Sequence, residues 1–138
     1  MPGALPVMEV DPERRSEPAA EPWLLLAEDD ADLRQLLAMT ITEITGVVVK
    51  AAADGREALE LLAQGSPSAV LTDLMMPAVD GYRLLEALRR ELPDLPVLAM
   101  SAADWRSQAL EAGFDGFIAK PFELDELLVL LDGILTSG

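Results

Sequence analysis

The stretch WLLLAEDDADLRQLL, residues 23–37, decides the fold. Five apolar residues, Trp23 to Ala27, stop at three carboxylates, Glu28, Asp29 and Asp30, with a fourth at Asp32. The apolar run is too short for a helix and is bounded by charge, so it reads as a buried strand. Leu33, Leu36, Leu37, Ile41 and Ile44 then recur at helical spacing, and Gly46 ends that helix. Like charges crowded at the end of a buried segment repel one another. Something must compensate them.

The same alternation continues along the chain. VVVKA (47–51), AVLT (69–72), VLAMS (97–101) and GFIA (116–119) read as further strands. REALELLAQ (56–64), a segment marked by Tyr82, Leu84, Leu85, Leu88 and Leu92, the stretch 105–112 and ELDELLVLLDGIL (123–135) read as helices. Strands separated by helices imply right-handed parallel crossovers and a doubly wound α/β sheet. Strands covered on both faces should be apolar throughout, and all five are expected to be so. In the last helix Leu124, Leu127, Leu128, Leu131 and Leu135 form a core stripe. Val129, Leu130 and Ile134 lie off it, as either a partner or homodimer surface or one side of a helix frayed at Gly133.

Composition narrows the chemistry. The 138 residues fit one domain; 51% are hydrophobic and only 4% aromatic, so the core is built of Leu, Val, Ile and Ala. The net charge of −15 argues against direct binding of nucleic acid or of an anionic membrane surface. The absence of cysteine excludes disulfides, thiolate catalysis and Cys-zinc sites. The absence of histidine excludes Ser-His-Asp triads, His-metal sites and a phosphohistidine within this chain. No apolar run approaches the roughly 20 residues of a membrane span. The N-terminus has acids and prolines where a signal peptide has a basic end and an apolar stretch, so a cytoplasmic protein is expected. Residues 1–22 hold Pro2, Pro6, Pro12, Pro18 and Pro22 without periodicity and read as a disordered leader of charge −3. The unit 23–138 keeps −12.

In doubly wound folds function sits at the carboxyl ends of the strands, where strand order reverses. Strand one ends in Glu28-Asp29-Asp30, strand three in Asp73, strand four in Ser101 and strand five in Lys120-Pro121. Strand two ends in alanines. Each polar residue alone has a plain explanation as a helix cap, a turn or a lysine reaching from a strand end. Four such residues at one face are harder to assign to coincidence.

Four stretches resemble the bacterial response-regulator receiver domain: LLLAEDDADLRQLL (24–37), VLTDLMMPAVDGYRLL (70–85), VLAMSA (97–102) and EAGFDGFIAKPF (111–122). The resemblance covers about residues 23–135. It implies a flavodoxin-like (βα)5 fold with strand order 2-1-3-4-5. It implies Asp73 as phosphoryl acceptor. Glu28 and Asp29, with Asp73 and the main-chain carbonyl of Met75, would hold Mg²⁺ or Mn²⁺. Ser101 would contact the phosphoryl group, Lys120 would pair with a phosphoryl oxygen, and Phe117 would be the switch aromatic. Pro121 matches a proline usually preceded by a cis peptide. The implied donor is a histidine kinase or a histidine phosphotransfer protein. The role is a regulatory phosphoacceptor rather than an enzyme, although family members catalyse their own phosphotransfer and dephosphorylation. The downstream target is not identified. No output domain follows residue 138, so the expectation is a stand-alone or excised receiver.

Elementary chemistry agrees with this reading. A carboxylate attacks an anionic phosphoryl group only if the repulsion is relieved, and Mg²⁺ favours such oxygen ligands. Asp30 is then the extra acid, assigned to the helix start, and Asp32 to its solvated first turn. Lys120 is one of two lysines and sits in an apolar run, so an acidic partner is expected.

Three features depart from the commonest family pattern. Glu28 stands in the acid pair where Asp is more familiar. The segment from Ser101 to Lys120 is a few residues tighter, so the fourth helix or its preceding loop must be short, with Trp105 packed over the gap. Met75 and Ala103, two residues after Asp73 and Ser101, cannot orient a hydrolytic water by a strong hydrogen bond. A comparatively long-lived aspartyl phosphate is expected.

Three other readings fit less well. A phosphohydrolase would want a second acid at Met75. A receiver that has lost phosphorylation would not keep the acid pair, Asp73, Ser101 and Lys120. A flavin or nucleotide binder would show a glycine-rich loop after strand one.

Overall fold

A computed structural model describes residues 21–137. The leader expected over residues 1–22 lies outside the described residues except for its last two. Five strands run β1 Trp23–Ala27, β2 Val48–Ala52, β3 Ala69–Asp73, β4 Val97–Ser101 and β5 Gly116–Ala119. Five helices follow them in turn: α1 Ala31–Thr45, α2 Gly55–Leu62, α3 Gly81–Glu91, α4 Arg106–Ala112 and α5 Leu124–Ser137. All pairings are parallel and the order is β2-β1-β3-β4-β5. The sheet is the expected doubly wound one.

Alternation along each strand sends side chains to two separate cores. Leu24, Leu26, Leu71, Leu98, Met100 and Ile118 meet Leu37 and Ile41 of α1 and Leu127 and Leu131 of α5. Leu25, Ala27, Val70, Val97, Ala99 and Phe117 meet Ala58 of α2, Leu84, Leu85 and Leu88 of α3, and Ala109 of α4. Burying each of these leucines contributes about 1.5–3 kcal/mol, so the two layers carry most of the stability.

Two expectations about packing, for β2 and for α5, need correction. β2 is not apolar throughout: Val48 and Lys50 are exposed, because this strand lies at the sheet edge. Lys50 lies over the Trp23 ring, 4.4 Å from its centroid. Leu36 and Ile44 belong to no core; they are 60% and 58% exposed on the outer side of α1. In α5, Leu130 and Ile134 pack on the core while Leu124 is exposed. Of the residues read as lying off the α5 stripe, only Val129 is strongly exposed, at 72%.

Helix α4 has seven residues, consistent with the tight Ser101–Lys120 segment. Trp105 stands just before it, packs on the core and lies 6.2 Å from the Tyr82 ring.

In the β3–α3 loop Ala78 adopts φ 68°, a left-handed conformation. An L-residue there costs roughly 1–2 kcal/mol, and glycine recovers part of that against its own greater unfolded-state entropy. Ala78→Gly is therefore expected to stabilise the fold by about 0.5–1 kcal/mol, read as a raised urea midpoint.

Candidate functional site

The pairing of Ala27 with Thr72 brings Glu28 level with Asp73, each at the carboxyl end of its strand. β4 and β5 follow on the Asp73 side, so Ser101 and Lys120 arrive at the same edge. Parallel strands all present their carboxyl ends in one direction, and this collects residues far apart in sequence.

Lys120 joins the acids. Its Nζ donates to Glu28 Oε1 at 2.7 Å and to Asp73 Oδ2 at 3.0 Å. This is the acidic partner that a lysine in an apolar run demanded. Glu28 is fully buried, and its other oxygen accepts from the Asp30 amide at 3.0 Å. Burial pushes the Glu28 carboxyl above its ordinary range, and the Asp73 charge adds to this; Lys120 and the Asp30 amide pull it partly back. Burial would lower the Lys120 ammonium, but its bonds to Glu28 and Asp73 outweigh that and hold it above its ordinary value.

The consecutive acids separate into three environments. Glu28 turns into the protein. Asp29 is exposed and makes no hydrogen bond or ion pair among the described residues. Asp30 caps α1, its side chain accepting from the Leu33 amide at 3.1 Å. Asp32 lies in the exposed first turn. One carboxylate oxygen from each of Glu28, Asp29 and Asp73 falls within 4.8 Å of the others. Three hard oxygen donors converging this closely fit a small divalent cation.

The remaining candidates lie around this cluster. Ser101 is buried, and its Oγ accepts from the Ala103 amide at 3.1 Å. It does not cap α4, which has no side-chain cap. Met75 is exposed, and its carbonyl accepts no hydrogen bond among the described residues. Phe117 is buried in the core, with the Arg106 guanidinium 5.2 Å from its ring centroid. The Lys120–Pro121 peptide bond is cis.

Two supports had no reading from the sequence. Arg34 Nη1 donates to the Glu28 carbonyl at 2.9 Å, tying α1 to the acid turn. Thr72 is buried and donates to the Asp73 carbonyl at 2.9 Å. An arginine one turn into the helix after an acid run was the available signal for the first. Gly81 is required by close approach: a Cβ there would lie 2.5 Å from the Asp73 carbonyl oxygen and 2.9 Å from Leu74 Cα. The helix that follows β3 can pack this near only with glycine at its start.

The family model of the response regulator receiver domain matches residues 24–132. The chain belongs to that family. Among curated relatives of this receiver, response regulator MprA of Mycolicibacterium vanbaalenii is 40% identical over 115 residues, 81% of this chain and 49% of MprA. MprA of Mycobacterium leprae is 38% identical over 115 residues, again 81% of this chain and 50% of its own. The chain thus spans about half the length of the curated relatives it matches. Among solved structures, the receiver domain of the Francisella response regulator 1452 is 32% identical with a TM-score of 0.78, covering 85% of this chain and 98% of that one. TrrA of Thermotoga maritima, solved in complex with Mg²⁺ and BeF, is 26% identical with a TM-score of 0.76, covering 83% and 99%. The receiver is accordingly a component of two-component signalling. No helix among its described residues is long and apolar enough to cross a membrane.

Proposed function

We propose that this receiver, residues 23–138, is a phosphorylation-dependent switch that accepts a phosphoryl group on Asp73. The observation that carries the reading is the bridge from Lys120 to both Glu28 and Asp73, with Asp29 beside them. A buried acid–acid–lysine arrangement at the strand ends serves no packing purpose that apolar residues would not serve better.

Glu28, Asp29, Asp73 and the Met75 carbonyl would hold Mg²⁺ or Mn²⁺, and that cation would supply positive charge to relieve the repulsion of an incoming phosphoryl group. An Asp73 oxygen forms the new bond to phosphorus as the donor's P–N bond breaks and the imidazole leaves. Lys120 pairs with a phosphoryl oxygen; its present distance of 3.0 Å from Asp73 supports this. Ser101 exchanges its bond from the Ala103 amide for a contact in which its hydroxyl donates to the phosphoryl group. Phe117 responds by changing its packing, and the altered surface is the output. TrrA, 26% identical, was solved in complex with Mg²⁺ and BeF, which supports a divalent cation at this site.

The donor is a histidine kinase or a histidine phosphotransfer protein, which supplies the imidazole that this chain lacks. The receiver acts in the cytoplasm as a regulatory phosphoacceptor, alone or as part of a longer regulator. A homodimer through α5 would engage Val129, 72% exposed on that helix.

The test is incubation with acetyl phosphate and Mg²⁺, followed by intact mass and peptide mapping. One phosphoryl adduct on the peptide containing Asp73 is expected. No adduct, or one that survives Asp73→Asn, overturns the proposal.

The aspartyl phosphate is comparatively long-lived. Met75 and Ala103 are both exposed, and neither side chain can position a water. Met75→Asn with Ala103→Glu is expected to hasten loss of the phosphoryl group about tenfold, followed by mass over time. An unchanged lifetime removes the idea.

A further inference from the structure

The cations of this acidic domain are nearly all engaged. Arg34 holds the Glu28 carbonyl, Lys50 covers Trp23, Arg56 pairs with Glu60 and Arg106 faces Phe117. Arg89 binds Asp115 and the Gly113 carbonyl, and Lys120 is in the acid site. Arg83 and Arg90 are the exceptions. Both are exposed, and neither guanidinium makes a hydrogen bond or ion pair among the described residues.

They stand on one face of α3, seven residues and so about 10 Å apart. Glu86 lies between them at helical spacing and forms a salt bridge with neither. Both arginines border a groove of about 580 Å³ between α3 and α4, whose apolar lining is Tyr82, Leu85 and Ala112. The groove lies beside the short α4.

We infer that the α3–α4 groove docks an acidic segment of a partner protein, its carboxylates on Arg83 and Arg90, to either side of Glu86, and an apolar side chain on Tyr82, Leu85 and Ala112. The partner's two acids lie about 10 Å apart, which is i and i+7 on a helix. The apolar lining favours a peptide over nucleic acid, and the domain's charge of −12 opposes a polyanion at large. This surface is independent of the Asp73 reading.

The test uses the unmodified receiver and a fluorescein-labelled helical peptide with Glu at i and i+7 and Leu at i+3 and i+4. Polarisation is expected to show binding that weakens as salt is raised. A peptide with Lys at i and i+7 should bind at least about fivefold more weakly, and so should the acidic peptide to R83Q/R90Q. Amide shifts are expected at Tyr82, Arg83, Arg90 and Ala112. No binding, equal binding of the lysine peptide, full binding by R83Q/R90Q, shifts confined to another face, or equal binding of a short single-stranded DNA each overturns the proposal.

Discussion

Lys120→Met is expected to lower the stability of the metal-free receiver by about 3 kcal/mol or more at neutral pH, and to slow phosphorylation by acetyl phosphate about a hundredfold. Methionine keeps the apolar stem, so the packing around the strand end is retained and the ammonium alone is lost. That ammonium is the one cation contacting the Glu28 and Asp73 side chains among the described residues. Glu28 is fully buried and Asp73 nearly so. Without Lys120 the two carboxylates face each other with no cation in contact with either; Arg34 reaches only the Glu28 carbonyl. Removing one partner of a buried pair is far worse than never having built the pair, because the survivor stays desolvated. The reading of the acid cluster as a cation site adds a sharper expectation. Mg²⁺ should recover more stability in Lys120→Met than in the parent, since it replaces charge that the parent already has. Urea denaturation in EDTA and in excess Mg²⁺ measures both effects. A variant as stable as the parent in EDTA shows that Lys120 does not compensate the acids.

The fold was readable because its strands are short, apolar and closed by charge or glycine, while its helices carry leucine at a clear period. WLLLA, VLAMS and GFIA stand in the structure at the bounds read from sequence. Strand order was not in the periodicity; it came with the resemblance. Periodicity also cannot tell how far neighbours cover a helix or strand. Leu36 and Ile44 repeat correctly with Leu37 and Ile41, yet α1 buries only a narrow seam, and the outer leucine and isoleucine face water. β2 reads like its neighbours but has a partner on one side only.

At the site, charge logic carried furthest. A lone lysine in an apolar run required acids, and it found two of them, Glu28 at a separation of 92 residues. The Asp30 cap was legible from its place before Ala31 and the following helical leucines. The Ser101 bond from the Ala103 amide was not, because it depends on the path of an irregular loop. Neither was the Arg34 tie to the Glu28 carbonyl, which depends on how α1 leaves the strand.

Asp29→Ala and Asp30→Ala are adjacent substitutions with opposite expected profiles. Asp30 holds the first turn of α1 through the Leu33 amide. Its removal should lower stability by about 1 kcal/mol and leave Mg²⁺ affinity within about twofold, since its charge lies outside the oxygen cluster. Asp29 holds nothing among the described residues, so its removal should leave stability unchanged or slightly higher, as one like charge leaves the crowd. Its oxygen is nevertheless one of the three that converge. A unit charge lost at contact distance from a divalent cation, even at high effective dielectric, should weaken Mg²⁺ binding at least tenfold, about 1.4 kcal/mol. Calorimetric titration with MgCl₂ reads the affinity and thermal denaturation in EDTA reads the stability. Equal Mg²⁺ loss in both variants would mean a diffuse acidic patch attracting counterions. The predicted split requires a site in which Glu28, Asp29 and Asp73 act as ligands while Asp30 belongs to the helix.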